Sequence, residues 1–472
     1  MSGARVHGFT DDALSDHDAV AVADLIRKGE ISAREAADAA IARAEKVDPE
    51  LNAVVFAAYD RLEPATVDGP LAGVPTYVKD NTDVRGMPTN HGTAAYVGKP
   101  AAKDGPYARQ YLSSGMTVLG KSKLPEFGLN ASTEFADAEP TRNPWNPEHS
   151  PGASSGGSAA LVASGVVPIA HANDGGGSIR IPAACCGLVG LKPSRGRHVD
   201  ADQARSMPIN LVSECVVTRS VRDTATFVAA IERDWRNAAL PPVGLVEGPA
   251  NRRLRIGVLT DSLGGVSADA ETTAAVADTA TRLEKMGHDI EPATLPVGDE
   301  FVEDFITYWG LLAFFAGALG KRTIDKEFDS SKLDGFTKGL ASIYRHRFHR
   351  TPATLFRLSR VKKAYAGMLT KHDVVLSPVL AHSPPKLGHL SPNVPFDELL
   401  TRLRHYVAYT PLNNVAGAPA ISLPTGATAD GLPIGVQISA AHGDERTLLE
   451  LAYALEQDRP WRRIQDTDKE RA

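Results

Sequence analysis

The sequence predicts an α/β protein, because short apolar runs typical of strands alternate with longer segments of helical periodicity. The clearest unit lies in the second half of the chain, where the run Arg255–Leu259 precedes an amphipathic segment, Ala270–Met286. A second strand-like run, Gly287–Glu291, follows directly, and this order is typical of a βαβ unit. The length of 472 residues permits two or three average domains or one large α/β unit.

Helices are predicted for the N-terminal part of the chain. Apolar residues within Ala21–Ile26 recur at helical spacing, and Ser32 with Glu35 has the pattern of a capping box that opens the next helix. We expect Asp48–Pro49 to end that helix, because proline cannot continue the hydrogen-bond ladder.

Strand-like runs dominate the region that follows. The run Val74–Val78 is apolar and partly β-branched, so it predicts a short buried strand that delivers Lys79. The runs Thr117–Gly120 and Val166–Ala170 are further candidate strands. Between the last two, Ala159–Gly165 is small and apolar, which favours a helix buried against the sheet.

The remaining segments differ in composition. The segment Arg236–Arg253 is rich in proline, glycine and alanine and is the best candidate for an internal linker. We expect the region Phe301–Met368 to be mainly helical and Val374–Leu376 to return to the sheet.

The composition and charge of the chain argue against a nucleic-acid partner. The chain is 43% hydrophobic and 23% charged, as in ordinary soluble proteins, and its net charge of −6 gives no indication of nucleic-acid binding. The local basic run Arg345–Arg350 continues towards Lys363, but no aromatic stacking pattern accompanies it. We interpret it as the solvated face of a helix and predict no nucleic-acid partner.

The cysteine content and the apolar stretches bear on the cellular compartment. Cys185, Cys186 and Cys215 have neither a disulfide pattern nor metal-site spacing, so we predict buried thiols. The segment Met1–Thr10 lacks the apolar core of a signal peptide, and runs such as Gly310–Leu319 are too short to span a bilayer. A cytoplasmic protein without a membrane association is therefore expected.

Two glycine-rich runs, Ser150–Ser158 and Asn173–Pro182, carry the strongest chemical signal. They contain Ser154 and Ser178, which lie 24 positions apart. A serine is a poor nucleophile unless a base lies beside it, and Lys79 at the end of an apolar strand is a candidate base. Glycines let successive backbone N–H groups converge on a developing oxyanion. The combination indicates acyl transfer through a serine ester.

These runs resemble the signature block of the amidase signature family. The block is reproduced as Gly152–Ser158 and Asp174–Pro182, and the lysine motif as Gly73–Asn81. Further matches occur at Pro411–Ser422 and Gly431–Gln437, so the resemblance covers nearly the whole chain. It implies one domain over residues 1–472, with a signature core at about 68–220 and a variable, mainly helical middle region at about 300–370. The implied fold is a mixed, mostly parallel twisted sheet covered by helices on both faces.

The resemblance also implies the roles of the site residues. Ser178 would be the nucleophile, Ser154 a bridging serine preceded by a cis peptide bond, and Lys79 the base. The oxyanion hole would consist of N–H groups of the nucleophile loop, which are those of Gly175, Gly176, Gly177 and Ser178. Position 175 is commonly threonine in the family, and we expect glycine there to retune the loop without loss of activity.

Several other residues compete for these roles. Gly152–Gly156 also fits the Gly-x-Ser-x-Gly pattern of a nucleophile elbow, which would make Ser154 the nucleophile with a histidine downstream. Ser155 is an alternative to Ser154, although the family spacing favours Ser154. We interpret His171 as a structural histidine, and Asp174 and Arg180 as residues that brace the nucleophile loop. No cofactor or metal is predicted.

The stretch His171–Ala183 is similar to a branch that includes aryl acylamidases, nylon-type cyclic-dimer hydrolases and actinobacterial amidases. The resemblance implies an enzyme that hydrolyses apolar or aryl amides, with anilides, carbamates and oligoamides as further candidate substrates. It implies a monomer or homodimer. The alternatives are a glutaminase subunit of a tRNA-dependent amidotransferase and a non-catalytic protein of this fold. We expect the variable middle region to supply the residues that line the substrate pocket.

Overall fold

Two β-sheets organise residues 5–61 and 68–466, the part of the chain that this computed structural model describes. The strands are, in chain order, β1 (Val54–Ala57), β2 (Pro75–Lys79), β3 (Thr117–Ser122), β4 (Ile169–Asp174), β5 (Val189–Lys192), β6 (Ser213–Thr218), β7 (Arg255–Val258), β8 (Asp289–Pro292), β9 (Val374–Pro378), β10 (Ala420–Ala427) and β11 (Pro433–Ala440). The smaller sheet has the order β1-β3-β2, and the larger has the order β4-β6-β5-β10-β11-β9-β7-β8.

Antiparallel pairs outnumber parallel pairs in the described strands. In the larger sheet β7 pairs parallel with β8 and β9, while the pairs from β4 across to β9 are antiparallel. The mixed sheet is thus confirmed, but the prediction that it is mostly parallel is wrong. A parallel pair needs a crossover connection. The βαβ unit supplies one at the β7–β8 edge, whereas the tight turn after β10 brings β11 back as an antiparallel neighbour.

Helices cover both faces of the larger sheet, as predicted. They are α1 (Ala19–Lys28), α2 (Ala33–Leu51), α3 (Pro106–Leu112), α4 (Gly156–Ala163), α5 (Arg180–Cys186), α6 (Asp202–Arg205), α7 (Val221–Asp234), α8 (Ala270–Lys285), α9 (Glu300–Thr323), α10 (Gly335–Arg347), α11 (Thr351–Met368), α12 (Phe396–Tyr406), α13 (Pro411–Ala416) and α14 (Glu445–Asp458). On one face α5 lies against Gly435 and Gln437 of β11, and on the other α8 lies against Gly426 and Ile434. The α/β fold is confirmed.

Two predicted element boundaries are wrong. The capping box of α2 at Ser32 and Glu35 is present, but the helix runs through Pro49 to Leu51 and ends at Asn52 in the left-handed region. Proline disfavours a helical residue before it without forbidding one. The strand predicted from Val166 begins three residues later, because the chain first turns after the C-terminus of α4. The shift places both Asn173 and Asp174 within β4.

The middle region is mainly helical, as predicted, and consists of α9, α10 and α11. By length and composition alone, α9 could cross a membrane: its hydropathy is 1.3 over an 18-residue window, 39% of which is buried in the molecule. The run Gly310–Leu319 alone is too short to span a bilayer, as the sequence indicates, but α9 as a whole is 24 residues long. Trp309 and Phe305 of α9 lie close to Gly175 and Gly176 of the nucleophile loop. This helix therefore forms a wall beside the predicted site.

Candidate active site

Lys79 is the last residue of β2 and is fully buried, as the apolar strand before it predicts. Its Nζ lies 2.7 Å from Ser154 Oγ, 3.0 Å from Ser155 Oγ and 2.6 Å from Asn173 Oδ1. Burial lowers the pKa of Lys79 from 10.5 to about 7, against the opposing charges of Glu214 and Asp174. A large share of this amine is therefore neutral near pH 7 and can accept a proton.

Ser154 lies where the first glycine-rich run enters α4, and a cis peptide bond precedes it, as the family resemblance implies. Gly128 has a φ of 68°, and a Cβ there would lie 2.9 Å from Ser154 Oγ. Only glycine fits this position without displacing the hydroxyl. The neighbouring Ser155 N–H donates to the carbonyl of Ser178 at 3.3 Å. The structure thus brings together the two glycine-rich loops and the lysine.

Asp174 and Arg180 brace the loop that carries Ser178. The Asp174 carboxylate accepts the N–H of Gly177 at 2.7 Å and of Ile179 at 3.3 Å. Burial alone would raise the pKa of Asp174, but the Arg180 guanidinium holds it below its ordinary value. The loop conformation is therefore set by an ionised carboxylate beneath it.

All five N–H groups of Arg180 have partners inside the protein. The Nε and one Nη2 hydrogen bond go to Asp174, and the remaining bonds go to Asn413, Gln437 and Asn414. The side chain is completely buried. These contacts support the structural role predicted for Arg180.

The predicted oxyanion donors do not behave alike. Because the N–H of Gly177 donates to Asp174, it is not available to a substrate oxygen, and the assignment of Gly177 as a donor needs correction. Gly177 instead allows the loop conformation. Its φ is 133°, which other residues rarely adopt, and a Cβ there would lie 2.4 Å from Thr410 Oγ1. Gly175, Gly176 and Ser178 line the cavities at the site.

Two cavities meet at Ser178. The smaller, of about 110 Å³, extends beneath α9 towards α10 and α12 and has a predominantly apolar lining, with Phe305 and Leu340 among its walls. The larger cavity, of about 560 Å³, is lined by Ser154, Asn173 and residues of the C-terminal half of α9. Trp309 lines both cavities. The middle region therefore contributes to the walls around Ser178, as expected from the sequence.

His171 is a structural residue in this arrangement. Its Nδ1 accepts the backbone N–H of Lys79 at 3.2 Å, and its Nε2 lies 2.9 Å from Glu214 Oε2. Both ring nitrogens are thus engaged within the protein. Among the described residues no cluster of three or more His, Cys, Asp or Glu side chains is placed to hold a metal ion.

Sequence reasoning missed Asn173 and Glu214 as partners of the lysine. Asn173 lies one residue before Asp174, at a position where a side chain of β4 can reach the site. Glu214 is an acidic residue in the otherwise uncharged, fully buried strand β6. A carboxylate in such a strand needs a buried partner, and this signal could have drawn attention to it.

Comparison with known proteins decides the family. The sequence profile of the Amidase family matches residues 35–449 of this chain. The chain belongs to the amidase signature family. It is an amide-hydrolysing enzyme, and the predicted α/β amidase fold is confirmed by its structural neighbours.

Three relatives of this amidase show how far the similarity extends. It is 48% identical over 467 residues to the Mycobacterium tuberculosis protein named "Putative amidase AmiC", covering 98% of each chain. The structure of 6-aminohexanoate cyclic dimer hydrolase superimposes with a TM-score of 0.84 at 31% identity, over 97% of this chain and 99% of that one. A bacterial aryl acylamidase has a TM-score of 0.79 at 27% identity, over 94% and 96%. The branch predicted from His171–Ala183 is thereby confirmed.

Proposed function

We propose that this amidase cleaves its substrate through an ester on Ser178, with Ser154 as proton relay and Lys79 as base. The observation that carries the proposal is the 2.7 Å contact between Lys79 Nζ and Ser154 Oγ, in a position where burial favours the neutral amine. Glycine-rich loops place Ser178 at the junction of two cavities that can hold the two halves of an amide.

The proposed proton path connects Ser178, Ser154 and Lys79. As Ser178 Oγ bonds to the carbonyl carbon, its proton passes to Ser154 Oγ while the Ser154 proton passes to Lys79 Nζ. The oxyanion that forms is held by N–H groups of Gly175, Gly176 and Ser178. When the C–N bond breaks, the protons return by the same route and Ser154 delivers one to the departing nitrogen. Water, deprotonated by the same relay, then hydrolyses the ester.

We propose that the two cavities hold different halves of the substrate. Ser154 lines the larger cavity, so the nitrogen that it protonates leaves on that side. The acyl group then lies in the smaller cavity, whose lining is mainly apolar. Its volume is comparable to that of an engineered apolar protein cavity of ~150 Å³ that binds benzene, so we expect a benzene-sized group to fit. We therefore propose short apolar or aryl acids as the acyl part, joined to amines of varied size, including anilines.

The purified chain, without a second subunit, provides the test. It should hydrolyse a chromogenic anilide of an apolar acid and should not release ammonia from glutamine. A sulfonyl fluoride should form an adduct on Ser178, located by mass spectrometry, and Ser178→Ala should lose both hydrolysis and adduct. An adduct on Ser154 together with an active Ser178→Ala enzyme would establish the nucleophile-elbow alternative. Activity confined to glutamine would contradict the proposed substrates.

A further inference from the structure

We infer that Asn173 and Ser155, backed by a buried Glu214–His171 pair, are positioning residues that direct the lone pair of Lys79 towards Ser154. The inference rests on the proposed function and concerns how the base is prepared for it. It follows from counting the donors and acceptors around one nitrogen atom.

The orientation of the Asn173 side chain is set by Glu214. Asn173 and Glu214 lie directly opposite each other in the antiparallel register of β4 and β6. An ionised carboxylate can only accept hydrogen bonds, so the Asn173 Nδ2 must face Glu214 Oε1, at 3.4 Å. The Asn173 Oδ1 consequently faces Lys79 Nζ, at 2.6 Å, and accepts one of its N–H groups.

Ser155 occupies a second N–H of the amine. Its Oγ lies 3.3 Å from the carbonyl oxygen of Asn173, which can only accept, so Ser155 donates its proton there. The same Oγ lies 3.0 Å from Lys79 Nζ and must therefore accept from it. A neutral amine has two N–H groups and one lone pair. With both N–H groups committed, the lone pair points at Ser154 Oγ, 2.7 Å away.

This count also distinguishes Ser154 from Ser155. Both hydroxyls lie within hydrogen-bond distance of Lys79, so distance alone does not select the relay. The hydroxyl of Ser155 donates its proton to the backbone carbonyl of Asn173 and not to the amine. Ser154 is the hydroxyl that can donate to the lone pair.

His171 closes the network. Its Nδ1 accepts from a backbone N–H, so its proton lies on Nε2 and is donated to Glu214. Burial lowers the pKa of His171, which keeps the ring neutral. For Glu214, burial alone would raise the pKa, but the bond from His171 holds it below its ordinary value. The bonds run from Lys79 Nζ through Asn173, Glu214 and His171 back to the backbone of Lys79.

The charges that face these groups come from several strands. The carboxylates of Glu214 and Asp174 raise the pKa of Lys79 against the effect of burial, and Asp174 is already paired with Arg180. Glu214 is faced by Lys79, His171 and His198, and the last accepts the backbone N–H of Glu214. Lys121 on the neighbouring β3 is paired with Asp80. The charge of Glu214 is therefore a principal factor that can shift the protonation of Lys79.

The test measures the rate at which a sulfonyl fluoride labels Ser178 as a function of pH, so that it does not depend on the choice of substrate. The wild-type rate should rise with pH through the pKa of Lys79, near 7. We call this rise in labelling rate with pH the limb. Glu214→Gln removes a negative charge, so it should lower the pKa of Lys79 and move the limb to lower pH. Asn173→Asp places a carboxylate against the amine and should move it to higher pH, by about one to three units. Glu214→Asp keeps the charge and should leave the limb near its wild-type position.

Ser155→Ala provides a variant that changes one hydroxyl. It should lower the plateau rate by about tenfold, since one bond that orients the amine is lost. Asp223→Asn is the matched control: this buried carboxyl accepts the N–H groups of Ala19 and Val20 on α1, and its replacement should leave the limb unchanged.

The outcomes separate the inference from the proposed function. If the variants lower the rate only in proportion to lost stability, with the limb at its wild-type pH throughout, the network is structural and the inference is overturned. If Glu214→Gln does not fold, the other two variants still test the inference. It is overturned if Asn173→Asp does not move the limb to higher pH and Ser155→Ala leaves the plateau rate unchanged. Failure of wild-type Ser178 to be labelled would instead contradict the proposed function.

Discussion

Around Lys79 the wall of the site consists of buried polar groups that bond to one another, whereas the wall that α9 turns towards Ser178 consists of aromatic and aliphatic side chains. The polar wall is assembled from strands and glycine loops, and its groups are held at hydrogen-bond distances of 2.6 to 3.4 Å. The apolar wall presents Phe301, Phe305 and Trp309 from one helix. Catalysis needs fixed directions, which hydrogen bonds supply, whereas recognition of apolar groups needs shape and dry surface.

The largest expected effect comes from breaking the polar wall at its base. Lys79→Met should lower kcat on an anilide by about 10²- to 10⁴-fold, because Ser154 and Ser178 lose their proton acceptor. Wild-type kcat/KM should fall on acidification through a single limb near pH 7, where Lys79 becomes protonated. Near-wild-type activity of the methionine variant would remove Lys79 from the mechanism.

The same substitution has a pH-dependent effect on stability. The pKa of Lys79 is about 7 in the folded protein and 10.5 when unperturbed, so the unfolded chain binds the proton more readily. Burial of this group therefore disfavours folding most at and below pH 7, and this cost disappears as pH rises towards 10.5. The Tm of Lys79→Met minus that of wild type should be largest at pH 6 and shrink at pH 9. A difference that does not vary with pH would contradict the buried, neutral amine.

An intermediate effect is expected from filling the cavities one at a time. Leu340→Trp narrows the smaller cavity and should lower kcat/KM for benzoyl relative to acetyl substrates by about 10- to 100-fold. Ala316→Trp narrows the larger cavity and should discriminate instead between anilides and primary amides of the same acid. Each variant serves as the control for the other. If Leu340→Trp discriminated between amines and Ala316→Trp between acids, the acyl and amine sides would have to be exchanged.

The smallest effect is expected at Glu126, which directly precedes the cavity-lining residues Phe127 and Gly128. Glu126 accepts the N–H of Asp334 before α10 and the hydroxyl of Thr93, and burial with the Asp334 charge raises the pKa of Glu126 from 4.5 to about 7. The folded protein thus favours the neutral acid, and this contribution to stability is lost as pH rises through about 7. Glu126→Gln should raise Tm at pH 8 and leave it nearly unchanged at pH 4.5. Glu148→Gln, at an exposed carboxyl, should change Tm at neither pH.

The sequence predicted the parts of the site that lie in contiguous motifs. Lys79, Ser154 and Ser178 each stand in a short run whose glycines or apolar neighbours indicate their surroundings, and the structure brings Lys79 and both glycine loops together. Asn173 and Glu214 were missed, because their contact depends on the register of β4 against β6, which no local pattern specifies.

Long-range pairing also explains the errors in the fold. The βαβ unit at β7 and β8 is local and was predicted, whereas β5, an antiparallel neighbour of β10, comes from a distant part of the chain. Gly177 was assigned as an oxyanion donor together with the other N–H groups of the nucleophile loop, as the family resemblance implies. The carboxylate that occupies its N–H, Asp174, lies within the same motif, but composition does not reveal which loop N–H groups point inward.

Because Trp309 faces both cavities, α9 couples what the enzyme accepts on its two sides. Adding or removing one residue within the first turn of α9 would rotate the side chains that follow by about 100° and would change those presented to both cavities at once. Insertions or deletions at the start of α9 would thus change the lining of both cavities together, while the lysine and the two serines stay as they are.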